Sequence, residues 1–359
     1  MESIFLPNIK SYYQSLKFVY PLIRYNAEAY PSIGISTKFY SGLNDKNPPV
    51  KIMTPPKHRD RVAILFPGAS PTAEDHPKMI MLGQVLAQNG FKVYIPRIPP
   101  LKKLDITIIN VQWFTCFYQW IINTEKVNPQ KILMAGMSYG GGLMLRMLKE
   151  INNKVPLPKS VLTFGTYSDS HSLLHYFLTG NISVKGKQFN IPPNEWGLVV
   201  IFQNYLKILE INWDSIELQR AIQLRIQNEN LECNIQVDRL PDFQKGLFYS
   251  IISGKATPEV KKLAQAIFKI ERESLKKISP KYWAKDIPEK VFIMHGAHDS
   301  MVPFTESIQL AEYLPNTELC ISYLYEHNEF SSNGGFFFKI KELIKLLQFY
   351  AKLFFHYEN

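Results

Sequence analysis

The sequence predicts an α/β protein, a mostly parallel sheet with helices on both faces, interrupted by a large helical insertion. Three observations predict it. Short apolar runs alternate with helical patterns over residues 1–169 and again over 287–359, the rhythm of a covered parallel sheet. Residues 170–286 between them read as helices almost throughout. An apolar fraction of 46% beside a charged fraction of 20% is ordinary for a globular chain with a sizeable core. The expected organisation is a core in two parts, 1–169 (with an N-terminal arm over 1–40) and 287–359, and a helical lid over 170–286.

The elements follow in order. Val50 to Met53 reads as an early strand and "VAILF", Val62 to Phe66, as a clear one. Asp75 to Gln88 reads as a helix that Asn89-Gly90 ends. The strand Phe91 to Ile95 precedes a long aromatic helix over Ile108 to Asn123. Lys131 to Ala135 is a strand, Gly140 to Glu150 a helix, and Ser160 to Phe164 a further strand. Within the helical block, Thr257 is an N-cap with Pro258 at the first helical position. Val260, Leu263, Ala264, Ile267 and Phe268 then form one apolar stripe. Strands return at Val291 to Met294 and Leu319 to Leu324, with a helix between them and a last one from Gly335 to Phe355.

The N-terminal "MESIFLPNIKSYYQSLKFVYPLIRY" has a very short apolar patch that Pro7 interrupts and no small-residue cleavage site, so a secretory signal is not expected. No window reaches eighteen uninterrupted apolar residues, which argues against a membrane-crossing helix. The segment does mix aromatic and aliphatic residues with Lys10, Lys17 and Arg24. It suits either packing on its own domain or lying flat on a membrane, and residues 1–25 are the expected site of any peripheral membrane contact. The net charge of +10, from 41 basic and 31 acidic residues, suits an anionic surface or an acidic ligand without choosing between them. Cys116, Cys233 and Cys320 lie far apart with no CxxC pair, so reduced thiols are expected, with neither a disulfide framework nor a zinc knuckle. Together these features point to a cytoplasmic location, with or without membrane contact.

The chemistry concentrates in "GMSYG", Gly136 to Gly140, followed by Gly141 and Gly142. A serine in G-x-S-x-G between a strand and a helix fits a tight turn that lifts a hydroxyl above the strand ends. The glycines remove side chains that would strike the neighbouring strand and helix, and the helix start aims free N–H groups at developing negative charge. A phosphate loop is the alternative, but no lysine follows as G-x-x-x-x-G-K-[ST] requires. A serine hydroxyl needs a base, and the base needs an orienting acid. "VFIMHGAHDSMVP" places Asp299 just past a strand, and "LCISYLYEHNEF" places His327 just past the next. Asp169, in "FGTYSDS", also follows a strand and is the rival acid. His295 and His298 flank the acid loop and are expected to hold its turn. His171 and His175 form H-x-x-x-H without the glutamate of a zinc protease, so no metal site is expected. Two backbone donors complete such a site. One is the Tyr139 N–H. The other comes from "PGASP" after "VAILF", where Gly68, Ala69 and Ser70 have N–H groups and Ala69 is the choice.

"GMSYGG", "HGAHDSMVP" and "YEHNEF", in that order and with a glycine-containing loop after "VAILF", resemble the α/β-hydrolase superfamily. The resemblance covers the two core parts, and the "HG…D..VP" form is similar to the esterase, thioesterase and dipeptidyl-peptidase branches. It implies a Ser138–His327–Asp299 acyl-transfer enzyme with Tyr139 and Ala69 at the oxyanion hole. It also implies no cofactor, a small-molecule ester or thioester substrate and no nucleic-acid partner. One departure is Pro67-Gly68 where the family often has His-Gly. An acyltransferase with the same triad and a non-catalytic binding protein on this fold are the other readings. The helical block would shape an acyl pocket, for which Trp196, Phe202, Tyr205, Trp213, Phe243, Phe248 and Tyr249 supply apolar surface; the same residues would equally serve to bury the block against the core.

Overall fold

The computed structural model describes residues 7–25, 30, 32–57, 60–184, 186–324 and 335–359. Helix α1 (Ile9–Ile23) begins at Asn8, whose side chain accepts the Ser11 N–H. The sheet opens with β1 (Gly34–Phe39), β2 (Pro49–Thr54) and β3 (Val62–Phe66). Helix α2 (Pro77–Gln88) starts on a proline, which gives up no helical hydrogen bond there. It is followed by β4 (Lys92–Pro96), the single turn α3 (Pro99–Lys102) and α4 (Ile109–Asn123). Then come β5 (Ile132–Met137), α5 (Tyr139–Ile151) and β6 (Ser160–Phe164).

The strands pair in the order β1-β2-β4-β3-β5-β6, then β9 (Val291–Gly296) and β10 (Thr317–Ser322). β1 and β2 are antiparallel to their neighbours, and every other pair is parallel. The strands β3, β6 and β9 are buried at every residue, which is why their sequences read as continuous apolar runs. Helices α4 and α5 cover one face and α1, α2 and α14 (Phe336–Glu358) the other, giving two separate apolar cores.

Between β6 and β9 the chain forms α6 (Ser170–Thr179), a hairpin of β7 (Asn181–Val184) and β8 (Lys187–Asn190), and then α7 (Trp196–Tyr205). It continues as α8 (Ile216–Ile226), α9 (Asn230–Asp238), α10 (Asp242–Ile252), α11 (Pro258–Ile270) and α12 (Arg272–Ile278). Helix α13 (Phe304–Tyr313) joins β9 to β10. The Thr257 cap is present, its hydroxyl accepting the Val260 N–H at 3.3 Å, and Val260, Ala264 and Ile267 are buried as the stripe requires.

The structure corrects the sequence reading in two places. The inserted segment is not wholly helical, because β7 and β8 pair across a turn at Gly186, where φ is +78°. Among the described residues of the hairpin only Ile182 is buried, so little apolar alternation marks it. β1 is the second strand without a signal, since all six of its residues are exposed. Helix α1 packs across α14. The Phe18 ring lies 4.7 Å from that of Tyr350 and 5.6 Å from that of Phe354, and Ser15 donates to the Leu347 carbonyl at 2.7 Å. Among the described residues no helix is long and apolar enough to cross a membrane.

Candidate active site

Ser138 sits between the last residue of β5 and the first of α5, with φ at +50° and ψ at −127°. A non-glycine residue held there costs about 1–3 kcal/mol and persists only where its surroundings over-determine it. Here they do. The Ser138 N–H donates to the Phe164 carbonyl at 2.7 Å, and its own carbonyl accepts from the Gly141 N–H at 3.0 Å and the Thr166 hydroxyl at 3.2 Å. The glycines permit this density. A Cβ on Gly140 would stand 2.1 Å from the Pro67 carbonyl oxygen, and one on Gly141 would stand 2.0 Å from Thr166 Oγ1. The close backbone approach expected from the sequence is therefore present. A Cβ on Gly68 would lie 3.1 Å from Ser138 Cβ, so the loop after β3 runs alongside the serine.

Tyr139 holds the first helical position of α5, where an N–H has no acceptor inside the helix. Its ring stacks on Tyr167 at 5.3 Å and 4° between planes, and its hydroxyl donates to the Ile106 carbonyl. Burial pushes both phenols up, so both stay protonated. In the loop after β3 the Ser70 N–H is spent on the Leu101 carbonyl at 3.2 Å. That removes one of three candidate donors and leaves Gly68 and Ala69. Of these, Ala69 lines the cavity over Ser138.

Asp299 lies three residues beyond β9 and is 3% exposed. Its Oδ1 accepts from the Met301 N–H at 2.8 Å and the Val302 N–H at 2.9 Å. Its Oδ2 lies 3.6 Å from His295 Nε2. His295 braces the turn, as expected. Its Nε2 donates to the Val302 carbonyl at 2.8 Å and its Nδ1 is 2.6 Å from Ser307 Oγ. Gly165, just past β6, has φ at +57°, and a Cβ there would stand 3.1 Å from Asp299 Oδ2. The serine turn and the acid loop thus lean on the same strand end, residues 164–166. The Asp169 carboxylate is engaged elsewhere: Oδ1 caps α6 through the His171 N–H at 3.1 Å, and Oδ2 pairs with Lys281 Nζ at 2.9 Å. His327 lies outside the described residues.

Ser138, Ala69 and Met301 meet at one cavity of about 90 Å³. Its walls come from Leu173, Phe177, Val200, Phe268 and Ile278 of the inserted segment. Of the seven aromatic residues singled out in the sequence, only Tyr205 lines it. Phe202 and Phe248 are buried, Trp213 packs on Phe243 with ring centroids 5.1 Å apart, and Phe243 and Tyr249 are exposed. The better signal was Ser170, Leu173, Leu174 and Phe177, a stripe spaced as one helix face, all of which line the cavity.

The carboxyl of Glu306, on α13, accepts from the Ser168 N–H at 2.9 Å, the Asp169 N–H at 3.0 Å and the Ser172 hydroxyl at 2.6 Å. It clamps the start of the inserted segment to the helix behind the acid loop. Burial pushes this carboxyl up, and its donors draw it only part of the way back.

No family model matches the sequence, and no curated protein matches it significantly. Solved structures do resemble it. An acylaminoacyl peptidase in complex with Z-Gly-Gly-Phe-chloromethyl ketone aligns with a TM-score of 0.50 at 11% identity, over 91% of this chain and 41% of that one. The 2-hydroxy-6-oxo-6-phenylhexa-2,4-dienoate hydrolase of Rhodococcus sp. strain RHA1 aligns with a TM-score of 0.45 at 17% identity, over 80% and 90% of the two chains. An esterase/lipase from an uncultured bacterium aligns with a TM-score of 0.45 at 12% identity, over 90% and 86%. The chain spans about two-fifths of the length of the acylaminoacyl peptidases it resembles. At such identities the likeness speaks for the fold. Taken with the sheet order and the turn at Ser138, it gives the chain the α/β-hydrolase fold.

Proposed function

We propose that this protein is a serine hydrolase that cleaves carboxylic esters or thioesters through an acyl-enzyme. The observation that carries the proposal is the backbone of Ser138, strained at φ +50° at a strand-to-helix turn and opening on an apolar cavity. A merely close-packed turn has no need of strain at the serine itself.

In the proposed reaction Ser138 Oγ attacks the acyl carbon while His327 takes its proton. The carbonyl oxygen becomes an oxyanion, held by the N–H groups of Tyr139 and Ala69. Collapse expels the alkoxide or thiolate, which receives the proton from His327. Water then attacks the acyl-enzyme with His327 again as base, releasing the acid and restoring Ser138. Asp299 holds the imidazole in the required tautomer and offsets its charge. Its Oδ1 accepts from the Met301 and Val302 N–H groups, and these bonds fix the orientation of the carboxylate. The apolar walls suit an aliphatic acyl group and keep the oxyanion in a low-dielectric setting.

A fluorophosphonate probe tests the nucleophile. Wild type should be labelled and Ser138→Ala should not, whereas equal labelling ends the reading. A panel of p-nitrophenyl esters, acyl thioesters and aminoacyl anilides of graded size then tests the substrate class, with anilides preferred over esters as the result against it.

A further inference from the structure

Helix α1 carries apolar residues on its outward face as well as its buried one. Its buried face carries Ser11, Gln14 and Ser15 beside Phe18, Val19 and Leu22. Its outward face carries Ile9, Tyr13, Leu16 and Tyr20, exposed to 90%, 57%, 49% and 56%, at helical spacings of four, three and four. Tyr12, 42% exposed, widens the stripe. Phe18, Val19 and Leu22 suffice to seat the helix on its own core, which does not account for the outward apolar set. A contiguous apolar face of this kind marks a surface that meets something other than water.

The charge pattern says what. The helix contains no aspartate or glutamate, and its cations flank the apolar stripe. The exposed Lys17 ammonium sits 4.7 Å from the Tyr13 ring centre, and the exposed Arg24 guanidinium 5.6 Å from that of Tyr20. Lys10 lies at the other end, paired with Glu358. Three tyrosines dominate the stripe, and tyrosine is the side chain that prefers a boundary, with its ring in an apolar phase and its hydroxyl in water. Rings in the middle with cations at the margin match a layer of anionic headgroups over hydrocarbon.

We propose that α1 docks this protein flat on an anionic lipid bilayer, with Ile9, Tyr13, Leu16 and Tyr20 entering the headgroup boundary and Lys17 and Arg24 lying among the phosphates. Fifteen residues give about 22 Å of helix along the membrane plane. The occupant is a lipid surface rather than a protein, because the helix offers basic groups and no acidic ones. This docking does not depend on the catalytic reading.

The test is co-sedimentation of the full chain with large unilamellar vesicles of pure phosphatidylcholine or of phosphatidylcholine with about one-third phosphatidylserine. Wild type should pellet with the anionic vesicles, remain free with the neutral ones, and lose at least about tenfold in partitioning when salt rises to ~0.5 M. Leu16→Ser with Tyr20→Ser, and separately Lys17→Glu with Arg24→Glu, should each cut partitioning by about tenfold or more while the melting temperature holds. Failure of wild type to bind anionic vesicles overturns the proposal, and so does binding that neither pair weakens. A concentration-dependent dimer that Leu16→Ser with Tyr20→Ser dissolves, with no vesicle binding, would assign the face to a second copy of the chain and overturn it as well.

Discussion

At the end of β5 the main chain decides where Ser138 points; at the end of β9 the side chain of Asp299 folds its own loop. The serine turn is held by backbone hydrogen bonds and by glycines whose missing Cβ atoms leave room for Pro67 and Thr166. The acid loop is held by a carboxylate that gathers the N–H groups of Met301 and Val302, with His295 bracing the next carbonyl. In the proposed reaction Ser138 must project at one angle, and its position is stored in strain and steric exclusion. The same reaction asks of Asp299 only that it be close and charged, and its position is stored in hydrogen bonds that its own charge strengthens. Substitution should separate these two modes.

The largest expected effect is on turnover. Ser138→Ala should lower kcat on a p-nitrophenyl ester by about 10⁵-fold or more, since the remaining groups of a triad cannot act without the nucleophile. Asp299→Asn should cost about 10³–10⁴-fold in kcat with little change in melting temperature, because an amide oxygen can still accept the two backbone N–H groups. Asp169→Asn should stay within about threefold, as its carboxylate serves the α6 cap and Lys281. An exchange of those two outcomes would hand the acid role to Asp169.

Stability effects rank next. Gly140→Ala should cost about 3 kcal/mol or more in chemical denaturation, because its Cβ would strike a backbone oxygen at 2.1 Å. Gly246→Ala, within α10 and with nothing within 4 Å of the added carbon, should instead stabilise by about 0.5–1 kcal/mol. Smaller still is the strain test. Ser138→Gly should be more stable than Ser138→Ala by about 1 kcal/mol, against the usual order, because only glycine accepts φ at +50° freely.

A pH-dependent effect lies away from both turns, at His356. Burial, then Lys159 and Lys290, depress its imidazole from 6.5 to about 4. The unfolded chain therefore takes up this proton first as pH falls. Its contribution to stability is intact above 6.5 and is lost progressively between 6.5 and about 4. His356→Gln should flatten the melting-temperature profile in that window and leave it unchanged above.

The serine turn was legible in the sequence because glycine is a direct record of steric exclusion, and the fold class because strands buried on both faces must be apolar throughout. Asp299 was singled out by its place after a strand, and the pairing of Asp169 with Lys281 is what favours it over that rival in the proposed reaction. Other features left no local trace. β1 is exposed along its length, so its pairing with β2 depends on backbone groups that composition does not show. The narrowing of the donor choice to Gly68 and Ala69 depends on the Leu101 carbonyl, 31 residues beyond Ser70 (101 − 70), capturing its N–H. The seven aromatic residues were open to two uses, and all but Tyr205 lie away from the cavity. The α6 stripe of Ser170, Leu173, Leu174 and Phe177 was the better cue, and a stripe alone does not say which side faces a substrate.

One carbonyl ties the two halves of the molecule together. The oxygen of Ser300, next to Asp299, accepts both the Tyr176 hydroxyl at 2.8 Å and the Asn194 N–H at 2.8 Å. Any displacement of α6 that carried Tyr176 away would break its bond to the loop bearing Asp299, so the inserted segment and that loop are mechanically joined at this point.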